Sequence, residues 1–114
     1  MAIYALTLTI PGGTTASNPA TAKMQVPFGK LIKCIFIPDS SSNGNVGVQL
    51  WRGLKPILPR NQNAWIITDF PLVIDGVDEK IDRESNLIIL KGYNSNTYDV
   101  TVQMLLDVME EGEK

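Results

Sequence analysis

The chain has 114 residues, with 10 basic against 12 acidic side chains, one cysteine and no histidine. That length fits one domain around a single core, and the near-neutral balance offers no basic footprint for duplex nucleic acid. The lone Cys34 excludes an intrachain disulfide and any CxxC metal or redox pair, while the missing histidine removes the commonest general base, the commonest zinc ligand and the Ser-His-Asp arrangement together.

In chain order, Tyr4, Leu6, Leu8 and Ile10 fall on one face and Thr7 and Thr9 on the other, the period of a half-buried strand. Residues 11–20 hold Gly12, Gly13, Thr14, Thr15, Ser17, Asn18 and Pro19, the chemistry of an exposed loop. Ala22, Met24 and Val26 then alternate with Lys23 and Gln25 until Pro27 removes a ladder donor. Residues 31–37 are apolar except for Lys33, which predicts a central strand covered on both faces or packed beside an oligomer partner, with Cys34 buried in it. Residues 38–45 concentrate turn formers and read as a projecting loop.

Val46, Val48 and Leu50 alternate with Gly47, Gln49 and Trp51, and Pro56 and Pro59 mark the following segment as a sheet edge. Residues 65–67 predict a short strand, and Phe70, Leu72 and Ile74 another, ended by the turn pair Asp75 and Gly76. Residues 87–90 form a strand that Gly92, Asn94, Ser95 and Asn96 connect to the last one. That strand is the plainest signal in the chain: Tyr98, Val100, Val102, Met104, Leu106 and Val108 alternate with Asp99, Thr101, Gln103 and Asp107. The acidic tail from about residue 110 is expected to fray.

Eight or nine short strands, turn signals at frequent intervals and no amphipathic helical stretch predict an all-β fold. The expected architecture is an antiparallel β-sandwich, an eight-stranded jelly roll, formed by residues 1–114 as a single domain. No apolar run approaches the ~20 residues that cross a bilayer, and residues 1–10 lack the charged start and apolar block of a signal peptide. Synthesis in the cytoplasm and no membrane partner are the expectation.

Candidate chemistry is sparse. Asp69, Asp75, Asp78, Glu79 and Asp82 are the carboxylates available for paired acid and base work or for calcium, but they sit among turn residues at no EF-hand spacing and read as solvated. No catalytic residue, metal ligand or cofactor site is assigned, and the chain is not expected to be an enzyme. Gly12 and Gly13 precede neither a helix nor a GK[ST] sequence, so they serve a turn. Trp51, Trp65, Tyr93 and Tyr98 are candidates for an aromatic platform that stacks on a sugar. Trp51 is out of phase with Val46, Val48 and Leu50, so it points outward if those three are core, and a neighbouring subunit is favoured over a glycan as its partner.

The layout adds one more guide. An opening alternating strand, a polar loop, Val26 and Pro27, the apolar strand ending at Pro38, a Gly-containing loop, residues 46–51, Pro59, and the late Gly92, Tyr93 and Asn94 follow in order. This arrangement resembles small jelly-roll virion proteins, the capsid decoration or cement proteins of tailed viruses of bacteria and archaea. The resemblance covers most of the chain and lies in layout and turn placement, without a diagnostic residue signature. It implies a structural protein on the outer capsid surface of a virion, made in the host cytoplasm, that forms a homotrimer, binds the major capsid protein and stabilises the shell. On that reading the subunit interface is expected at Trp51, Leu31, Lys33 and Ile35. The alternative is a carbohydrate-binding β-sandwich module without catalysis.

Overall fold

A computed structural model describes residues 2–83 and 85–110. Among them run nine strands: β1 (Ala2–Ile10), β2 (Ala20–Gln25), β3 (Gly29–Ile37), β4 (Val46–Arg52), β5 (Lys55–Leu58), β6 (Leu72–Ile74), β7 (Glu79–Ile81), β8 (Leu87–Asn94) and β9 (Val100–Glu110). A 3-10 turn at Ser40–Ser42 interrupts the connection from β3 to β4. No helix among the described residues is long and apolar enough to cross a membrane.

The strands form two sheets in which every pair is antiparallel. The first has the order β1-β9-β3-β6, with β7 also pairing β3, and the second has the order β2-β8-β4-β5. The sheets pack face to face as a sandwich around one shared apolar core. Alternation builds that core: Leu6, Leu8 and Ile10 of β1 and every second residue of β9 from Val100 to Val108 are buried. Val46, Val48 and Leu50 of β4 and Ile88 and Leu90 of β8 face them from the second sheet. Each large side chain buried this way contributes about 1.5–3 kcal/mol relative to exposure. The fold is thus the all-β antiparallel sandwich that the periodicity predicts.

Three local expectations change. First, β3 is not covered equally on both faces, because its register on β9 shifts between Leu31 and Lys33. This irregularity puts Leu31, Cys34 and Phe36 inward at spacings of three and then two, and leaves Lys33, Ile35 and Ile37 half-buried. Second, β8 continues through Gly92 to Asn94, where a loop was expected. A Cβ at Gly92 would lie 2.5 Å from Ile10 Cδ1, so the missing side chain makes room for β1 against β8. Third, residues 65–67 make only an isolated bridge, Ile66 to Val48, beyond the short edge strand β5. The nine strands fall within the eight or nine expected, with β6 and β7 lying along different stretches of β3. Of the tail expected to fray, Glu110 ends β9, while residues 111–114 lie outside the described residues.

The two ends of the sandwich are closed by different chemistry. At the start of β8, the Glu79 carboxylate from the first sheet receives Arg52 Nε at 3.0 Å, Lys55 Nζ at 3.1 Å and Arg60 Nη1 at 3.1 Å. Arg52 also donates to Ser85 O and pairs with Asp82, while Arg60 donates to Val77 O. At the far end of β8, fully buried Asn94 donates through Nδ2 to Ile10 O and Tyr98 O and accepts from Asn96 N. Asn96 Nδ2 donates to Ser42 O and Asn45 Nδ2 donates to Asn96 Oδ1, which ties the 3-10 turn to the β8–β9 connection.

Candidate functional site

With both inner faces consumed by the core, any site must lie on the outer faces, the sheet edges or the loops. Register lays out the first sheet's outer face in rows. One row is Ala5, Leu105, Ile35 and Val73, crossing β1, β9, β3 and β6 with no polar side chain. The row beside it is Ile3, Asp107 and Lys33, and on the other side lie Thr7, Gln103 and Ile37. Ile3 is 67% exposed and Val73 is 56% exposed, so both rims of this stripe are open. Just before β6, Phe70 is 76% exposed. Asp107 Oδ1 is shielded from solvent and has no hydrogen-bond partner among the described residues.

The second sheet's outer face holds three of the candidate aromatics, Trp51, Trp65 and Tyr93. Trp51 donates through Nε1 to Gln49 Oε1 at 3.0 Å, and Lys91 Nζ stands 3.9 Å from the centroid of the Trp51 ring. Gln49 is buried although it points outward from the sheet, because residues 62–64 fold over it. Its Nε2 donates to Gln62 O at 2.9 Å and to Ala64 O at 2.6 Å. Next along the strand, Tyr93 and Trp65 pack in a T-shaped pair, 5.0 Å between centroids. Gly47 lies directly opposite Tyr93 in the ladder, where a Cβ would overlap the Tyr93 ring. The connection from β5 to β6 is therefore tied down across this face by one amide and one aromatic pair.

These geometries redistribute the expected interface residues. Lys33 and Ile35 lie on the outer face of the first sheet, and Trp51 lies on the outer face of the second. Leu31 is fully buried in the core, because the irregular register turns it inward, and it does not belong to a surface. A single flat contact cannot contain Trp51 together with Lys33 and Ile35. Of the four aromatics, Trp51, Trp65 and Tyr93 share one face, while Tyr98 lies at the loop end, where Asn43 Nδ2 donates to its hydroxyl and the hydroxyl donates to Ser41 O.

Of the five carboxylates, only Glu79 and Asp82 meet, on either side of the Arg52 guanidinium. Gly44 N donates to Asp69 Oδ1, Asp75 and Asp78 are exposed, and Asp82 faces Arg52. Glu79 departs from the solvated reading: only 4% exposed, it is a buried anion held by three cations. Burial opposes its ionisation, but hydrogen bonds from Lys55, Arg60 and Arg52 outweigh that and hold its pKa below the ordinary value of 4.5. Among the described residues, no group of three or more His, Cys, Asp or Glu is placed to hold a metal ion. The Cys34 thiol is pushed up to about 12 by burial, which removes its nucleophilic form at neutral pH.

The sequence reading did not foresee the burial of Gln49, Glu79 and Asn94, all of them polar. Each looks like a surface residue by type, and only the partners contributed by distant segments explain its burial. An open depression of about 680 Å³ lies beside the Glu79 cluster, lined in part by Lys23, Arg52, Leu54 and Lys55. Arg52 and Lys55 are already committed to Glu79 there, and Lys23 is the third cation that lines it among the described residues. No protein-family model matches this chain, and no curated protein matches it in sequence.

Proposed function

We propose that this chain is a structural virion protein of the capsid decoration type, which binds an outer shell and associates with copies of itself. The observation that carries the associating half of this reading is the apolar row Ala5, Leu105, Ile35 and Val73 with Ile3 at its rim. Contiguous apolar surface on a small soluble domain marks a contact with another macromolecule more often than a free surface. The virion half rests on the resemblance in layout. It is supported by the strand orders β1-β9-β3-β6 and β2-β8-β4-β5, which fit the winding of a jelly roll once β6 and β7 share one place beside β3. Such a protein works by binding energy alone, spread over subunit and shell contacts, so that separating capsomers costs more.

The test is co-expression with the major capsid protein encoded in the same genome, followed by sedimentation of the shells. The reading predicts that the chain travels with the shells and raises their disruption temperature. A chain left at the top of the gradient overturns it. The homotrimer that the resemblance implies is read separately, from the solution mass.

A second reading has its own observation, the gathering of Trp51, Trp65 and Tyr93 on one outer face, which suits a carbohydrate-binding module. Against it, Lys91 covers one side of the Trp51 ring, and Tyr93 and Trp65 are already packed on each other. Quenching of Trp fluorescence by soluble glycans, with loss of the effect in Trp65→Ala, would establish this reading over the first.

A further inference from the structure

Sheet edges present unpaired N–H and C=O groups, and natural proteins blunt them with short strands, lysine, proline or bulges. Three of the four edge positions here carry such devices. β2 has Lys23 at its centre, and β5 has Lys55 and Pro56 in four residues. The edge opposite β1 is divided between β6 and β7, each three residues long, with Lys80 in the middle of the second.

β1 carries none of them. Its nine residues, AIYALTLTI, contain no charge and no proline, and its register on β9 runs unbroken from Ala2 opposite Val108 to Ile10 opposite Val100. Among the described residues, no hydrogen bond outside the β1–β9 ladder reaches the backbone of residues 2–9. Alternate residues of β1 therefore aim their N–H and C=O groups away from β9, where no hydrogen-bond partner stands among the described residues.

We infer that β1 pairs with β1 of a second copy, antiparallel about a two-fold axis, so that the first sheets of two molecules become one continuous sheet. A two-fold through Leu6 uses the whole strand: Ala2 meets Ile10, Ile3 meets Thr9, Tyr4 meets Leu8 and Ala5 meets Thr7 of the other copy. This register keeps outer-face residues against outer-face residues and inner against inner, as the pleat requires. The occupant is a second copy because the strand is its own best complement. It has no charge to repel its twin, whereas β2 paired with itself would bring Lys23 near Lys23. Such a pairing consumes both β1 edges and closes as a dimer.

The inference stands on edge chemistry and not on the virion reading, and stoichiometry separates the two. Light scattering after size exclusion is run from submicromolar to the highest soluble concentration, on the wild-type chain, on Thr7→Lys at the exposed centre of β1, and on Thr21→Lys on β2. The expected result is a mass of two copies that falls to one on dilution. Thr7→Lys is expected to weaken the dimer at least about tenfold, because the two new lysines lie diagonally across the junction. Thr21→Lys is expected to leave it unchanged. Hydrogen exchange read by NMR is expected to protect alternate β1 amides in concentrated samples and release them in dilute ones. A monomer at every concentration overturns the inference, as does a dimer whose β1 amides exchange freely or that Thr7→Lys leaves intact. A trimer overturns it while leaving the proposed function standing.

Discussion

The two ends of this sandwich perform one task, holding the sheets in register, with opposite chemistry. One end uses a buried carboxylate with three cations. The other uses neutral amides that reach backbone carbonyls. The difference lies in what happens when a partner is removed. A buried charge without its counter-charge keeps its full desolvation penalty, while an unpaired amide or carbonyl costs a fraction of that. The charged end is therefore the brittle one, and the one whose buried carboxylate makes it answer to acid.

The largest expected effect tests that brittleness. Glu79→Ala leaves the Arg52 guanidinium, whose side chain is only 10% exposed, with Ser85 O and with Asp82 at 3.6 Å as its remaining counter-charge among the described residues. It should lower stability by about 3–5 kcal/mol in urea unfolding at neutral pH. Asn94→Ala removes the partner of Ile10 O, Tyr98 O and Asn96 N, and should cost about 2–3 kcal/mol by the same measurement. Equal losses would break the comparison.

Acid sharpens it. Glu79 has a folded pKa below its ordinary 4.5, so its stabilising contribution is complete above that value and is lost as pH falls through the lowered folded pKa. Wild type and Asn94→Ala should lose stability in parallel below pH 4.5, while Glu79→Gln, weaker at neutral pH, should show a flatter acid limb. Parallel curves for all three would assign the acid response elsewhere. A smaller effect probes the exposed margin of the amide end: Tyr98→Phe loses the hydroxyl that joins Asn43 and Ser41, and should cost about 0.5–1 kcal/mol. The two ends lie roughly 23 Å apart along β8 at about 3.3 Å per residue, so Glu79→Gln and Asn94→Ala should add within ~0.5 kcal/mol.

The sequence announces some of this architecture and conceals the rest for identifiable reasons. β1 and β9 are legible because unbroken alternation is what a strand with one buried face requires, and Pro56 correctly marks an edge. The phase of β3 is hidden because an apolar run looks the same from both faces, and only the register on β9 shows which residues turn inward. Gly92 reads as a turn former, yet its role is the close approach of Ile10 from the other sheet. Glu79 stands in an acidic stretch that resembles a solvated loop, and its three cations arrive from positions 52, 55 and 60. Trp51 is correctly read as outward, but its indole is already engaged by Gln49 and Lys91, a nearer pair than any subunit.

The buried thiol has a practical consequence. Cys34 is the only cysteine in the sequence, it is fully buried, and its pKa of about 12 keeps it protonated across the range in which maleimides and disulfide reagents work. A cysteine introduced on an exposed strand position would thus be the single labelled site on an otherwise native chain. Spin labels or fluorophores can be placed on either outer face, or along β1, without first deleting the natural residue.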